Sequence, residues 1–331
     1  MCARRDNSRA RWTSATASSE LPRSLRRHEP HAPVIRPLLS FAALGAAAVG
    51  AYGVFIEPYR LRVRRLRLPV SSIRAPDTAI RILHVTDLHL RTGDKRRVRM
   101  LQQLASLEPD LLLLTGDLIH GGSDPAAELE TVLAALAPIH ARYGTYAVLG
   151  NHDHVRRHRL KGWLGQPLRF SDTTPLVRTL EAHGIRVLTN AHANVTVRGQ
   201  PLTLVGVDDP FYWLDDIRRA TAGAPRDTAR LLLAHSPDIV STLDDERFDL
   251  IFCGHTHGGQ VRLAESIVWH TNTRVPLPRN AGLMQIGPHR VYCSAGVGVS
   301  VLPLRLNCPP EVGWIELVAA RDEDSNNLSR D

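Results

Sequence analysis

The chain has 331 residues, 43% of them hydrophobic and 22% charged, enough to bury one large core or two modest ones. Its net charge of +8 is concentrated at one end: thirteen Arg and only four acids lie within residues 1–70, so the remainder is close to neutral. That distribution excludes a basic nucleic-acid-binding body, and four Cys without a C-x-x-C pair exclude a zinc ribbon or a disulfide framework.

Residues 1–36 are rich in Arg, Ser, Ala and Pro, show no apolar period and are expected to be a disordered basic arm. Residues 37–56, "PLLSFAALGAAAVGAYGVFI", carry no charge and match the roughly 20 residues that span a bilayer as a helix. The expectation is a single N-terminal transmembrane helix or uncleaved signal anchor; a buried core helix and a cleaved signal sequence are the competing readings. Arg23, Arg26, Arg27 and Arg36 precede the span, and Arg60, Arg62, Arg64, Arg65 and Arg67 follow it. The positive-inside rule therefore leaves the side of the body open. In the basic segment 57–74, "YRLRVRRLRL" alternates Arg with apolar residues. It suits either a strand against anionic headgroups or an edge strand with one solvated face.

From Ile80 the pattern becomes βαβαβ: strands at 80–85, 110–117 and 145–153, with helical spacing over Lys95–Leu107 and Pro125–Ala137. Such an order implies right-handed crossovers onto a sheet with parallel character. The second half is richer in strands, around Val195, Leu202–Val207, Leu231–Ala234, Leu250–Cys253, Val291–Ser294 and Trp314–Val318. No linker is visible, so residues 75–320 are taken as one α/β domain, followed by a polar tail over 321–331.

The strands end alike. "HVTDLHL" sets Asp87 and His89 just past the first, "LLTGDLI" sets Asp117 past the second, and "VLGNHDH" sets Asn151, His152 and Asp153 past the third. "LLAHSPD" and "IFCGHTHGG" add His235, His255 and His257. Alone, an Asp or Asn after a strand is a turn or cap residue, and a lone His is a satisfied histidine. Metal-capable side chains at all these ends point instead to a ligand site at the carboxyl edge of the sheet.

The ordered set D-x-H, G-D, G-N-H-D, H and G-H-x-H resembles the calcineurin-like metallophosphoesterase family over roughly residues 80 to 260. "GHTHGGQV" and "GVGVSVLPLRLNCPPEVGWIEL" look most like its bacterial membrane-associated branch. The resemblance implies a four-layer sandwich of two mixed β-sheets flanked by α-helices. It also implies two divalent metal ions, with Asp87, His89 and His257 on the first, Asn151, His235 and His255 on the second, and Asp117 bridging. Such a mixed nitrogen and oxygen set suits Mn (manganese), Fe, Zn or Co. Hydroxide held between the ions would attack phosphorus, and His152 would protonate the leaving oxygen.

Many members carry G-D-x-x-D where this chain reads "GDLIHGG", so His120 replaces the second Asp. The partner of His152 is thus open between Asp153 and Asp87, with His120 and Arg91 as candidates for binding phosphate. The predicted membrane segment and the resemblance favour a lipid-linked phosphoester substrate, such as UDP-2,3-diacylglucosamine of lipid A synthesis. Aromatics in "DDPFYWLDDIRRAT" (208–221) form either a lip for acyl chains or part of the core. The alternatives are a general or exported phosphodiesterase or phosphomonoesterase, and a non-catalytic scaffold, which would be expected to have lost ligands.

Overall fold

The computed structural model describes residues 35–74, 78–154, 170–264, 267–268, 271–300 and 302–320. The readings for the N-terminal arm before residue 35 and for the tail 321–331 fall outside them. The chain divides into two units, Met1–Gly45 and Ala46–Asp331. Helix α1 (Ile35–Phe55) begins in the first. Its residues 39–51 are exposed, and the stretch Leu39–Tyr59 is long and apolar enough to cross a membrane.

The second unit is built on two six-stranded sheets. The first contains β1 (Arg62–Val70), β2 (Ile80–Val85), β3 (Leu111–Thr115), β4 (Thr145–Val148), β5 (Ile185–Val187) and β12 (Glu311–Ala319), in the order β1-β12-β2-β3-β4-β5. β12 runs antiparallel to β2, while β2 through β5 are parallel. The second contains β6 (Ala191–Val197), β7 (Gln200–Gly206), β8 (Ala229–Leu233), β9 (Leu250–Cys253), β10 (Gly282–Ile286) and β11 (His289–Cys293), in the order β10-β11-β9-β8-β7-β6.

Strand alternation places the core. Ile80 and Ile82 face the second sheet and pack with Leu111, Leu204, Leu231 and Phe252, whereas Leu83 and Val85 face the helices on the other side. Those helices are α2 (Lys95–Gln102), α3 (Pro125–Leu136) and α5 (Thr174–Ala182). Asp94 and Asp124 cap the first two by accepting hydrogen bonds from Arg97 N and Ala127 N. A third cluster covers the far face of the second sheet, beneath α6 (Ile217–Thr221). The layers are therefore helices, sheet, sheet and helices.

Several boundaries differ from the sequence reading. The helix expected to reach Leu107 ends at Gln102 and continues as a 3₁₀ turn, because Glu108 turns left-handed (φ 48°) before Pro109. The strand expected to reach residue 153 stops at Val148, and Asn151–His154 form a single helical turn, α4. The basic segment is built into the fold: β1 pairs in parallel with β12 at the sheet edge, Arg62 opposite Glu311. Arg64 Nε donates to Glu311 Oε2 at 2.7 Å. Among the two readings of the Arg alternation the edge strand holds, and the folded body starts before residue 75.

Candidate metal centre

Asp87 and His89 follow β2, Asp117 follows β3, Asn151 and His152 lie on α4, His235 follows β8, and His255 and His257 follow β9. All are buried. Both sheets thus deliver side chains to one edge, and the loops do so at a conformational cost. Asp87, His89, Asp117, His255 and His257 all have positive φ, between 44° and 67°. L-residues held there carry about 1–3 kcal/mol of strain each, a pattern that concentrates at functional sites. Glycines admit the approach. A Cβ on Gly254 would run into the Asp87 carboxylate, and Gly258 (φ 58°) sits beneath the Arg262 side chain.

The donor atoms form two groups that share Asp117. Asp87, His89, Asp117 and His257 offer atoms within 4.8 Å of one another, as do Asp117, His235 and His255. In the first, His89 Nε2 lies 3.0 Å from His257 Nε2, and His257 Nε2 lies 3.4 Å from Asp87 Oδ1. In the second, His235 Nε2 lies 3.0 Å from His255 Nδ1 and 3.1 Å from Asn151 Oδ1. Asp117 Oδ2 stands 3.3 Å from both His89 Nε2 and His235 Nε2. Its other oxygen accepts from His152 N at 2.7 Å. A further group, His89, His120 and His152, adjoins these.

Electrostatics suit a cation site. Burial, with the His152 imidazole next in weight, holds His89 well below its usual range. Burial and His235 do the same for His255, and burial and the Arg305 guanidinium for His257. These three rings are neutral at pH 7, with lone pairs available to a metal. Burial alone raises a carboxyl, and it pushes Asp87 up to about 7. For Asp117 burial raises the carboxyl, but His235, His152 and His89 together outweigh it and hold the carboxyl well below its usual range. Burial works against a charged His235, yet Asp117 more than offsets it and raises that ring. A proton and a cation therefore compete for His235, and its Nδ1 is already committed to the Thr115 carbonyl at 2.8 Å.

His152 is oriented by a group that a search for acids misses. Its Nδ1 donates to the His120 carbonyl oxygen at 2.9 Å. Asp153 is occupied elsewhere, accepting from the backbone N–H groups of Leu118, Ile119 and Gly150. Asp87 accepts from His255 N and Thr86 Oγ1. Arg91 Nη2 lies 3.0 Å from His120 Nε2, so the two residues proposed for phosphate binding are neighbours beside the His152 ring.

Other residues of the site were not foreseen. Arg305, fully buried, donates to the carbonyls of Ala295, Gly296, Gly298 and Cys308 and lies 3.4 Å from His257 Nδ1. The loop it holds wraps Asp87, since Gly298 N donates to Asp87 O at 2.6 Å. Arg305 is thus a positioning residue for both Asp87 and His257. An Arg inside the apolar run "VLPLRLNC" was the available signal. The aromatic segment lies at the site rather than in the core: the Phe211 ring is 4.6 Å from His255, and Trp213 is 72% exposed beneath Arg274.

Comparison with known proteins shows the family. The model of the family "Calcineurin-like phosphoesterase" matches residues 80–259. The chain is 34% identical to phosphodiesterase YaeI of Escherichia coli (strain K12), covering 86% of this chain and 98% of that protein. It is 28% identical to UDP-2,3-diacylglucosamine pyrophosphatase LpxG of Chlamydia trachomatis, covering 63% of this chain and 72% of the other. It is 26% identical to a transmembrane protein with metallophosphoesterase domain from Bos taurus, covering 86% of this chain and 63% of that one.

Proposed function

The chain belongs to the calcineurin-like phosphoesterase family and is a hydrolase of phosphoesters, and on that premise we propose that it cleaves phosphodiester or pyrophosphate bonds of a lipid-linked substrate at a two-metal centre. The observation that carries the metal reading is Asp117, one carboxylate oxygen of which stands at equal distance from a histidine of each donor group. Asp87, His89 and His257 would hold one ion, Asn151, His235 and His255 the other, and Asp117 both. Divalent ions bound there supply Lewis acidity, offsetting charge on the phosphoryl group and acidifying the attacking water.

The chain's own residues do the rest. The His120 carbonyl can only accept, so Nδ1 of His152 carries a proton and Nε2 is the atom that takes up and returns one. When both nitrogens are protonated, Nε2 donates to the leaving oxygen as general acid. A cleft of about 270 Å³ opens beside His152, lined by Ile119, Ser123, Pro125, Leu129, Leu176 and Thr179, with room for the departing group. Arg91 and His120, 3.0 Å apart, would hold a phosphoryl oxygen between them.

The lipid link is supported by the exposed apolar length of α1 and by the similarity to LpxG. A soluble phosphodiester is the second reading, favoured by the higher identity to YaeI over nearly all of that protein. Mass spectrometry of products from UDP-2,3-diacylglucosamine, beside a soluble diester, separates them. Cleavage of the pyrophosphate is the expected result. Turnover of the soluble diester alone would defeat the lipid reading and leave the enzyme class standing.

A further inference from the structure

The loop that carries His257 runs on to Leu263, which faces solvent, as does Ile267. Leu263 is 81% exposed and Ile267 55%, joined by the hydrogen bond Leu263 N to Ile267 O at 2.9 Å. A second loop lies alongside and presents Leu302, 47% exposed. Gln260 ties the two together: its Nε2 donates to Leu302 O at 2.8 Å and its Oε1 accepts from Ser300 N at 2.9 Å. Backbone bonds from Leu306 N to Gln260 O and from Arg262 N to Leu306 O continue the pairing.

The second loop is in turn bound to the end of α1. Arg305 N donates to Gly53 O at 2.9 Å, Leu304 packs over Gly53, and Cys308 N donates to the buried Glu57 Oε1 at 2.6 Å. Phe55 and Ile56 are exposed at that helix end. Around it stand basic and aromatic groups. Arg60 Nη1 donates to the Tyr52 hydroxyl, and Arg96 lies 3.5 Å from the Tyr59 ring centre while donating to Phe55 O. Scattered exposed aliphatics need no explanation, but these occupy adjoining elements and gather beside the end of α1 at residues 53–55. Amphipathic aromatics with a basic collar suit the headgroup layer of a bilayer.

We propose that Leu263, Ile267 and Leu302, with Phe55 and Ile56, form a rim that enters the surface of an anionic bilayer and seats the metal centre against it. The link to the centre is short. Cys308 Sγ lies 3.3 Å from His257 O, and Arg262 Nε donates to Gly258 O at 2.6 Å. A substrate with acyl chains then presents its phosphoester to the site without leaving the membrane. This inference rests on the reading of α1 as a membrane helix and adds that the catalytic body itself touches lipid.

The test uses the full chain, with Cys2 replaced by Ser, in vesicles of phosphatidylethanolamine and phosphatidylglycerol. Leu263→Cys, Leu302→Cys and, as control, Glu181→Cys on α5 are each labelled with an environment-sensitive fluorophore. The remaining cysteines are buried. Blue-shifted emission and shielding from aqueous iodide are expected at 263 and 302 and not at 181. Labels at 263 and 302 that iodide quenches fully, on protein that floats with the vesicles, would overturn the rim alone. Protein that fails to float would defeat the anchor reading and the rim with it. The pair Leu263→Ser and Leu302→Ser is expected to keep soluble-diester turnover and lose roughly tenfold on a vesicle-borne lipid diphosphate. Equal activity on both would overturn delivery from the bilayer.

Discussion

At the scale of single residues, the proposed chemistry falls to Asp117 and His152. Asp117 joins two groups of imidazoles and fixes the His152 backbone, whereas the His152 ring is aimed by the His120 carbonyl. Replacing His152 with Ala removes a proton donor but no proposed ligand. Turnover is expected to fall by roughly 10²–10⁴, with bound metal unchanged in elemental analysis. Loss of metal together with activity would make His152 a ligand instead. The candidate ligands were legible because a metal site would need Asp, Asn and His at particular strand ends. The orienting groups were not. A backbone carbonyl such as that of His120 has no residue signature, and Arg305 acts on carbonyls brought near it only by folding.

At the scale of elements, the parallel strands β2, β3, β4, β8 and β9 were readable from their apolar runs, and β1 was readable only as a choice. Its alternation of Arg with apolar residues fits a membrane surface or a sheet edge equally well, and pairing with β12 decides it. The segment after β7 shows a similar limit, because its aromatics carry no periodicity to say which way they face. Its anchor to α4 is a pair: His154 Nε2 lies 2.6 Å from Asp208 Oδ1. Burial works against a charged His154, but the Asp208 hydrogen bond and charge outweigh it and raise the ring above its usual 6.5. A raised histidine contributes stability that is full below pH 6.5 and is lost as pH climbs through the folded value. Asp208→Asn should therefore cost about 1–2 kcal/mol near pH 5.5 and much less near pH 9, read from urea unfolding at the two values. An equal cost at both would show that the charge on His154 contributes nothing.

At the scale of the whole molecule, two sheets meet so that strands from both halves of the chain contribute to one buried site. Those strands were visible as separate signals, but their convergence depends on the packing of β2 to β4 against β7 to β9 through a shared core, which a linear pattern does not contain. The strained loops and crowded imidazoles make sense if cations offset the buried carboxylates of Asp87 and Asp117. Metal content measured beside hydrolysis of bis-p-nitrophenyl phosphate, for the parent and for Asp117→Asn, tests this most directly. The parent is expected to hold two divalent ions per chain and to hydrolyse the diester, and Asp117→Asn to lose metal and turnover together. Hydrolysis that survives complete removal of metal, or a metal-replete parent that is inert, would contradict the account.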